Sequence, residues 1–117
     1  MQTRIGTPYY VSPEVLLGRT PYSKACDMWS IGVVVYFMLH GYPPFHEDSE
    51  SRLFQKIQKA DFTVCEEEVS PLASDFIKRL LKADPSKRMT IKEALQHPWL
   101  TRSQAEFQGL SHEPVFS

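Results

Sequence analysis

The sequence predicts an all-α domain built around one buried central helix, with long ordered loops and no sheet. Three observations predict it. Residues 23–40, SKACDMWSIGVVVYFMLH, are apolar from Met28 to Leu39 except at Ser30 and Gly32, and a helix that is apolar all round belongs inside a core. Three shorter stretches place apolar residues at helical spacing behind a capping residue. The segments between them are rich in Pro, Gly and aromatics, a composition typical of ordered working loops.

The elements follow in chain order. Residues 1–22 form a loop-rich entry punctuated by Pro8, Pro13 and Pro21 with Gly6 and Gly18. Within it, Ser12-Pro13-Glu14 opens a short helix that runs through Leu17 and ends at Gly18, because Pro suits the first helical position. For the central stretch a buried strand is the rival reading, since Val33-Val34-Val35-Tyr36-Phe37 favours β structure. Its length without a turn signal favours a helix, with Ser23 as the N-cap. Its apolar part, about a dozen residues, falls short of the roughly 20 needed to cross a bilayer. Asp27 stands near the head of this helix and has two readings. One is a solvated first-turn acid favoured by the helix dipole. The other is a carboxylate that fastens a neighbouring loop through backbone N–H groups.

Gly41-Tyr42-Pro43-Pro44-Phe45 is a rigid turn. Leu53, Phe54 and Ile57 then mark one face of a helix over residues 49–59, and Glu66-Glu67-Glu68 reads as a solvated run. Ser70-Pro71 begins the next helix, whose face is Leu72, Phe76, Ile77, Leu80 and Leu81. Asp84-Pro85 stops it, because the residue before Pro is driven out of the α region. Thr90 and Glu93 have capping-box spacing for a helix over residues 90–96. Pro98 ends that helix, and Trp99 and Leu100 fold back onto the core. Residues 101–117 are polar and weakly patterned, a loosely structured tail.

Composition narrows the function. The chain has 117 residues, enough for one small domain, and 13 basic against 14 acidic residues give a net charge of −1. Neither a nucleic-acid surface nor a membrane surface is indicated. Cys26 and Cys65 form no metal or disulfide motif, which suits a reducing cytoplasmic or nuclear setting. The segment MQTRIGTPYY has no apolar run, so no signal peptide is expected. His40, His46, His97 and His112 share no metal-ligand spacing and read as solvated or packed side chains.

The motifs resemble one family. Gly6-Thr7-Pro8-Tyr9-Tyr10-Val11-Ser12-Pro13-Glu14 is similar to the end of a protein-kinase activation segment, with the Ala-Pro-Glu motif present as Ser-Pro-Glu. Asp27-Met28-Trp29-Ser30-Ile31-Gly32 resembles the start of the central helix of the kinase C-lobe. Gly41 to Phe45 resembles the loop after it. Asp84 to Thr90 and His97-Pro98-Trp99-Leu100 resemble the closing helices of the lobe. These blocks occur in family order over roughly residues 3–100. Their details are most similar to the calcium/calmodulin-dependent and calcium-dependent Ser/Thr kinases. The resemblance implies a partial kinase domain over residues 1–100: the end of the activation segment in 1–14, C-lobe helices in 13–100, and no N-lobe sheet.

It also implies roles. Thr7 matches the Thr placed beside the catalytic Asp and Lys, and Gly6, Thr7, Pro8, Tyr9 and Tyr10 match the loop that receives the substrate residue after the phosphorylated one. Thr3 matches a position phosphorylated in many kinases, although some relatives do without that phosphate. Glu14 matches the partner of Arg88 in a buried structural ion pair. Asp27 matches a carboxylate that accepts backbone N–H bonds from the catalytic loop, which favours its second reading. Phe37 stands where cyclic-nucleotide-dependent kinases have a Glu that holds a substrate Arg. Either basic specificity is altered here, or Phe37 is core.

Phosphoryl transfer needs nucleotide-cradling, metal-holding and proton-accepting groups together, and most are missing. The five Gly, at 6, 18, 32, 41 and 109, are never two apart. There is no His-Arg-Asp, and Asp61-Phe62-Thr63, the nearest approach to Asp-Phe-Gly, lies downstream of the central helix. The chain contains no Asn, so the magnesium-binding catalytic-loop Asn is absent. The expectation is a Ser/Thr kinase fragment that begins inside the activation loop and is inactive alone. It binds no ATP or Mg itself, both being cofactors of the complete kinase, and its partners are protein substrates and the missing N-lobe and catalytic loop. The alternative is a non-catalytic, kinase-derived substrate-binding or regulatory module. A calmodulin or calcium-binding domain in the parent protein is implied by the resemblance alone. Residues 101–117 offer one base, Arg102, and no calcium-loop pattern.

Overall fold

Helix α2 (Lys24–His40) runs through the middle of the structure and organises the others: α1 (Pro13–Leu16), α3 (Glu50–Lys59), α4 (Pro71–Leu80) and α5 (Ile91–Leu95), with a 3-10 turn at Pro85–Lys87. The structure is a computed structural model that describes residues 11–18 and 23–102. Among the described residues there is no strand, and no helix is long and apolar enough to cross a membrane.

Two apolar clusters hold the helices together. Trp29, Val33 and Tyr36 of α2 meet Phe45, Leu53 and Ile57 on one side and Ala73, Ile77 and Leu81 on the other. Trp29 stacks on Phe45 with ring centroids 5.5 Å apart. The second cluster joins Met28 to Phe76, Leu80, Met89 and Ala94, with Trp99 and Leu100 packed against it. Helices α2 and α4 approach closely because residue 32 is Gly: a Cβ there would lie 2.8 Å from Leu80 Cβ. The central helix is therefore a helix, as its length predicts, and α2 ends where Gly41 takes φ 85° and donates its N–H to Phe37 O.

Helix α2 is apolar all round but not covered all round. Ile31, Val34, Phe37, Met38 and Leu39 are exposed, Met38 to 74%. Phe37 is accordingly not core. Asp27, Ile31, Val34 and Met38 follow one another at helical spacing, so they form a single stripe along the exposed side.

The caps divide. Ser49, Ser70 and Thr90 each accept a backbone N–H, from Arg52, Ala73 and Glu93. Thr90 and Glu93 complete a reciprocal capping box. Ser12 and Ser23 occupy N-cap positions without capping, because both hydroxyls turn to the Cys26 thiol instead, at 3.5 and 3.6 Å. Helix α4 ends at Leu80 rather than running to Asp84-Pro85. Its Arg79 carbonyl accepts from Met89 N–H, and in the loop that follows the Arg88 side chain takes Lys82 O and Ala83 O. Pro98 does more than end α5. It opens a further helical turn over residues 98–102, so Thr101 and Arg102 are helical rather than part of a loose tail.

Candidate functional site

The best-defined polar constellation is buried between α1, the head of α2 and the loop after α4. Arg88 donates through Nη2 to Glu14 Oε1 at 2.5 Å and through Nη1 to Glu14 Oε2 at 2.8 Å. This is the two-pronged geometry that a planar guanidinium and a carboxylate favour. The pair's side chains are 1% and 5% exposed. Arg88 has five N–H donors and all are used. Nε goes to Lys82 O, the second Nη1 proton to Ala25 O, and the second Nη2 proton to Ala83 O. Its guanidinium also lies 5.0 Å from the Trp29 ring centroid. Full pairing is what makes a buried charge tolerable.

Electrostatics agree with the geometry. Burial alone pushes the Glu14 carboxyl up, but the Arg88 hydrogen bonds and charge, with Cys26 Sγ–H donating at 3.4 Å, hold it at about 2. Glu14 is thus a fixed anion. One residue therefore ties three chain segments into one body: Arg88 fastens α1 through Glu14, α2 through Ala25 and the α4 exit through Lys82 and Ala83.

The expected pair of Glu14 and Arg88 is therefore brought together. Asp27 is placed at the head of α2, two residues beyond the Ala25 carbonyl that Arg88 holds, and it is exposed. Among the described residues nothing donates to its carboxylate, so here it has the solvated first-turn environment of its first reading. Thr3, Gly6, Thr7, Pro8, Tyr9 and Tyr10 lie outside the described residues.

Several supporting residues were missed by sequence reasoning. Cys26 and Ser12 complete the Glu14 environment. His97, buried, accepts the Trp99 N–H at Nδ1, so its proton sits on Nε2, 2.7 Å from Asp75 Oδ2. His40 accepts the Cys65 N–H at Nε2 and so carries its proton on Nδ1, toward Tyr36 O. Tyr36 donates to Thr63 O, and its burial, with Tyr42 beside it, pushes the phenol up to about 12. The Ser12 and Ser23 hydroxyls facing one thiol carry no sequence periodicity. The His97-Pro98-Trp99 order was a visible signal, but only as a motif. Among the described residues no cluster of three or more His, Cys, Asp or Glu could hold a metal ion.

Comparison with known proteins places this geometry. The protein kinase domain family matches residues 1–100. The chain is 45% identical over 113 residues to a calcium/calmodulin-dependent protein kinase type 1 of Macrobrachium nipponense, covering 94% of this chain and 32% of that protein. It is also 45% identical over 108 residues to the protein of the same name from Caenorhabditis briggsae, covering 90% and 30%. The chain thus spans about a third of the length of these curated relatives. Among solved structures, the autoinhibited serine kinase domain of the giant muscle protein titin superposes with TM-score 0.76 at 43% identity, over 81% of this chain and 30% of that one. The twitchin kinase region from C. elegans gives 0.74 at 38%, over 84% and 18%. The helical architecture is that of a partial kinase C-lobe centred on α2, and the chain belongs to the protein kinase domain family.

Proposed function

We propose that this chain is the scaffold and substrate-docking portion of a protein Ser/Thr kinase catalytic domain. In the complete domain the ATP γ-phosphate passes to a Ser or Thr hydroxyl of a protein substrate. These residues contribute the loop Gly6 to Tyr10, with Thr7 beside the acceptor hydroxyl and Thr3 as a phosphorylation position, on a base anchored by Glu14 and Arg88. The observation that carries the reading is the exposed stripe Asp27, Ile31, Val34 and Met38 on α2, whose opposite side is in the core. Contiguous apolar surface of that kind is uncommon on a self-sufficient monomer. A carboxylate at its head suits a loop offering backbone N–H groups. On this reading the N-lobe and catalytic loop cover the stripe, and Asp27 fastens the catalytic loop.

ATP and magnesium do not fit the groups of this chain. It has no Asn and no closely spaced glycines. The cofactors are therefore assigned to the complete domain. Calmodulin or a calcium-binding domain is assigned to the parent protein on similarity to the calcium/calmodulin-dependent relatives, and a cytoplasmic or nuclear location goes with that similarity.

The test has two arms. The 117-residue chain, incubated with Mg-ATP and a generic Ser/Thr peptide, is expected to yield no phosphopeptide. A chimera carrying the preceding part of the Macrobrachium relative's kinase domain is expected to phosphorylate the same peptide, and Asp27→Ala is expected to abolish most of that rate. Turnover by the isolated chain that survives further purification contradicts the reading. So does a chimera that folds and binds ATP but transfers nothing.

A further inference from the structure

We propose that the groove between the C-terminal half of α4 and the His97 turn is a docking site for an acidic segment of a partner protein. The groove encloses about 690 Å³, and Lys78, Arg79, Lys82 and Lys87 line it together with Asp75 and Glu93. Four cations thus face two carboxylates, and both carboxylates are committed. Asp75 accepts from His97 Nε2 and Arg79 Nε, each at 2.7 Å. Glu93 is held in the capping box by Thr90 N–H.

The cations are less committed. The Asp75 bond to Arg79 Nε fixes the plane of that guanidinium but leaves its terminal N–H edge without a partner. That edge is the one that grips a carboxylate two-pronged. Lys82 and Lys87 are exposed and, among the described residues, form no ion pair, and Lys78 reaches there only the exposed Glu66 at 3.5 Å. The rim is also rigid. Arg88 pins the carbonyls of Lys82 and Ala83 from below, and Met89 N–H is bonded to Arg79 O. The two free lysines therefore project from backbone fixed by the buried ion pair.

Charge complementarity selects the occupant. The cations are strung along one helix end and one turn, which suits carboxylates spaced along a peptide better than a single dianion. A nucleic acid is disfavoured by the two fixed carboxylates and by a lining with no Phe, Tyr or Trp, its one aromatic ring, His97, being buried.

The experiment is fluorescence anisotropy of a labelled glutamate–glycine repeat peptide with the full chain at low and high salt. Binding is expected, weakening as salt rises. Lys82→Glu/Lys87→Glu is expected to weaken it at least about tenfold, since like charges opposed across an interface are strongly unfavourable. Arg79→Lys should weaken it less, because it keeps the charge and loses the fork. Arg52→Glu/Lys59→Glu, with the same net charge change in a separate groove on α3, should leave it within about twofold, as distant surface charges are screened. Circular dichroism checks each fold, and Lys82→Gln/Lys87→Gln replaces the reversal variant if that one unfolds. The proposal is overturned by no binding, by equal binding of a glutamine–glycine peptide, or by equal loss in the Arg52/Lys59 control. It is also overturned if an oligonucleotide of matched charge, or a phosphopeptide, binds through these residues and the glutamate peptide does not.

Discussion

Arg88→Met is expected to destabilise the fold by about 3–5 kcal/mol, the range for removing one partner of a buried ion pair. The substitution leaves the Glu14 carboxylate buried with only its own backbone N–H and the weak Cys26 thiol as donors. It also frees three carbonyls, at Ala25, Lys82 and Ala83, that Arg88 now satisfies. Against a typical domain stability of about 5–15 kcal/mol, such a loss is a large fraction. Urea unfolding should show the midpoint shift. The double variant Glu14→Leu/Arg88→Met is expected to lose less than the sum of its single variants, since no charge is stranded.

The same pair sets an acid dependence. The folded value of Glu14, about 2, lies below its model value of 4.5. Its contribution is thus complete above pH 4.5 and is lost as pH falls toward 2, a term of about 3 kcal/mol. In Arg88→Met this limb should invert, because burial then favours the neutral carboxyl. An unchanged acid limb in that variant would show that Glu14 is not the group responsible.

Gly32→Ala is expected to destabilise the chain although Ala is the better helix former. The new Cβ would lie 2.8 Å from Leu80 Cβ and 2.9 Å from Leu81 Cδ2. Leu80 Cβ is attached to the α4 backbone and cannot swing aside, so α2 and α4 must separate. Overpacking of this kind costs about 1–3 kcal/mol, against about 1 kcal/mol regained in helix propensity. A net loss of up to about 2 kcal/mol in the stability from urea unfolding is the expected result. A gain in stability would mean that the two helices do not touch at Leu80.

Helix existence was readable locally. Ser49, Ser70 and Thr90 announce their helices through their own side chains, and the apolar run of α2 is visible in composition alone. What was not readable depends on groups far apart in sequence. Helix α4 stops at Leu80, short of Asp84-Pro85, and its Arg79 carbonyl pairs with Met89 N–H across the turn, a bond that apolar spacing does not announce. Ser12 and Ser23 fail to cap because Cys26 draws them. Glu14 and Arg88, 74 positions apart, were paired only through the family resemblance, since charge and spacing do not select one Arg among several bases. That α2 leaves some apolar surface open follows from the resemblance to a partial lobe, but which side does so was not legible, because its exposed residues are as apolar as those facing the core.

The account rests on α2 being the interior spine of a kinase C-lobe. Native-state amide hydrogen exchange tests this directly, because amides of a structural spine exchange only when the whole unit opens. The amides of Trp29, Val33 and Tyr36 should be among the last to exchange, together with those of Ile77 and Leu80 in α4. Exchange in α2 as fast as that of the short helix Ile91–Leu95 would contradict the claim.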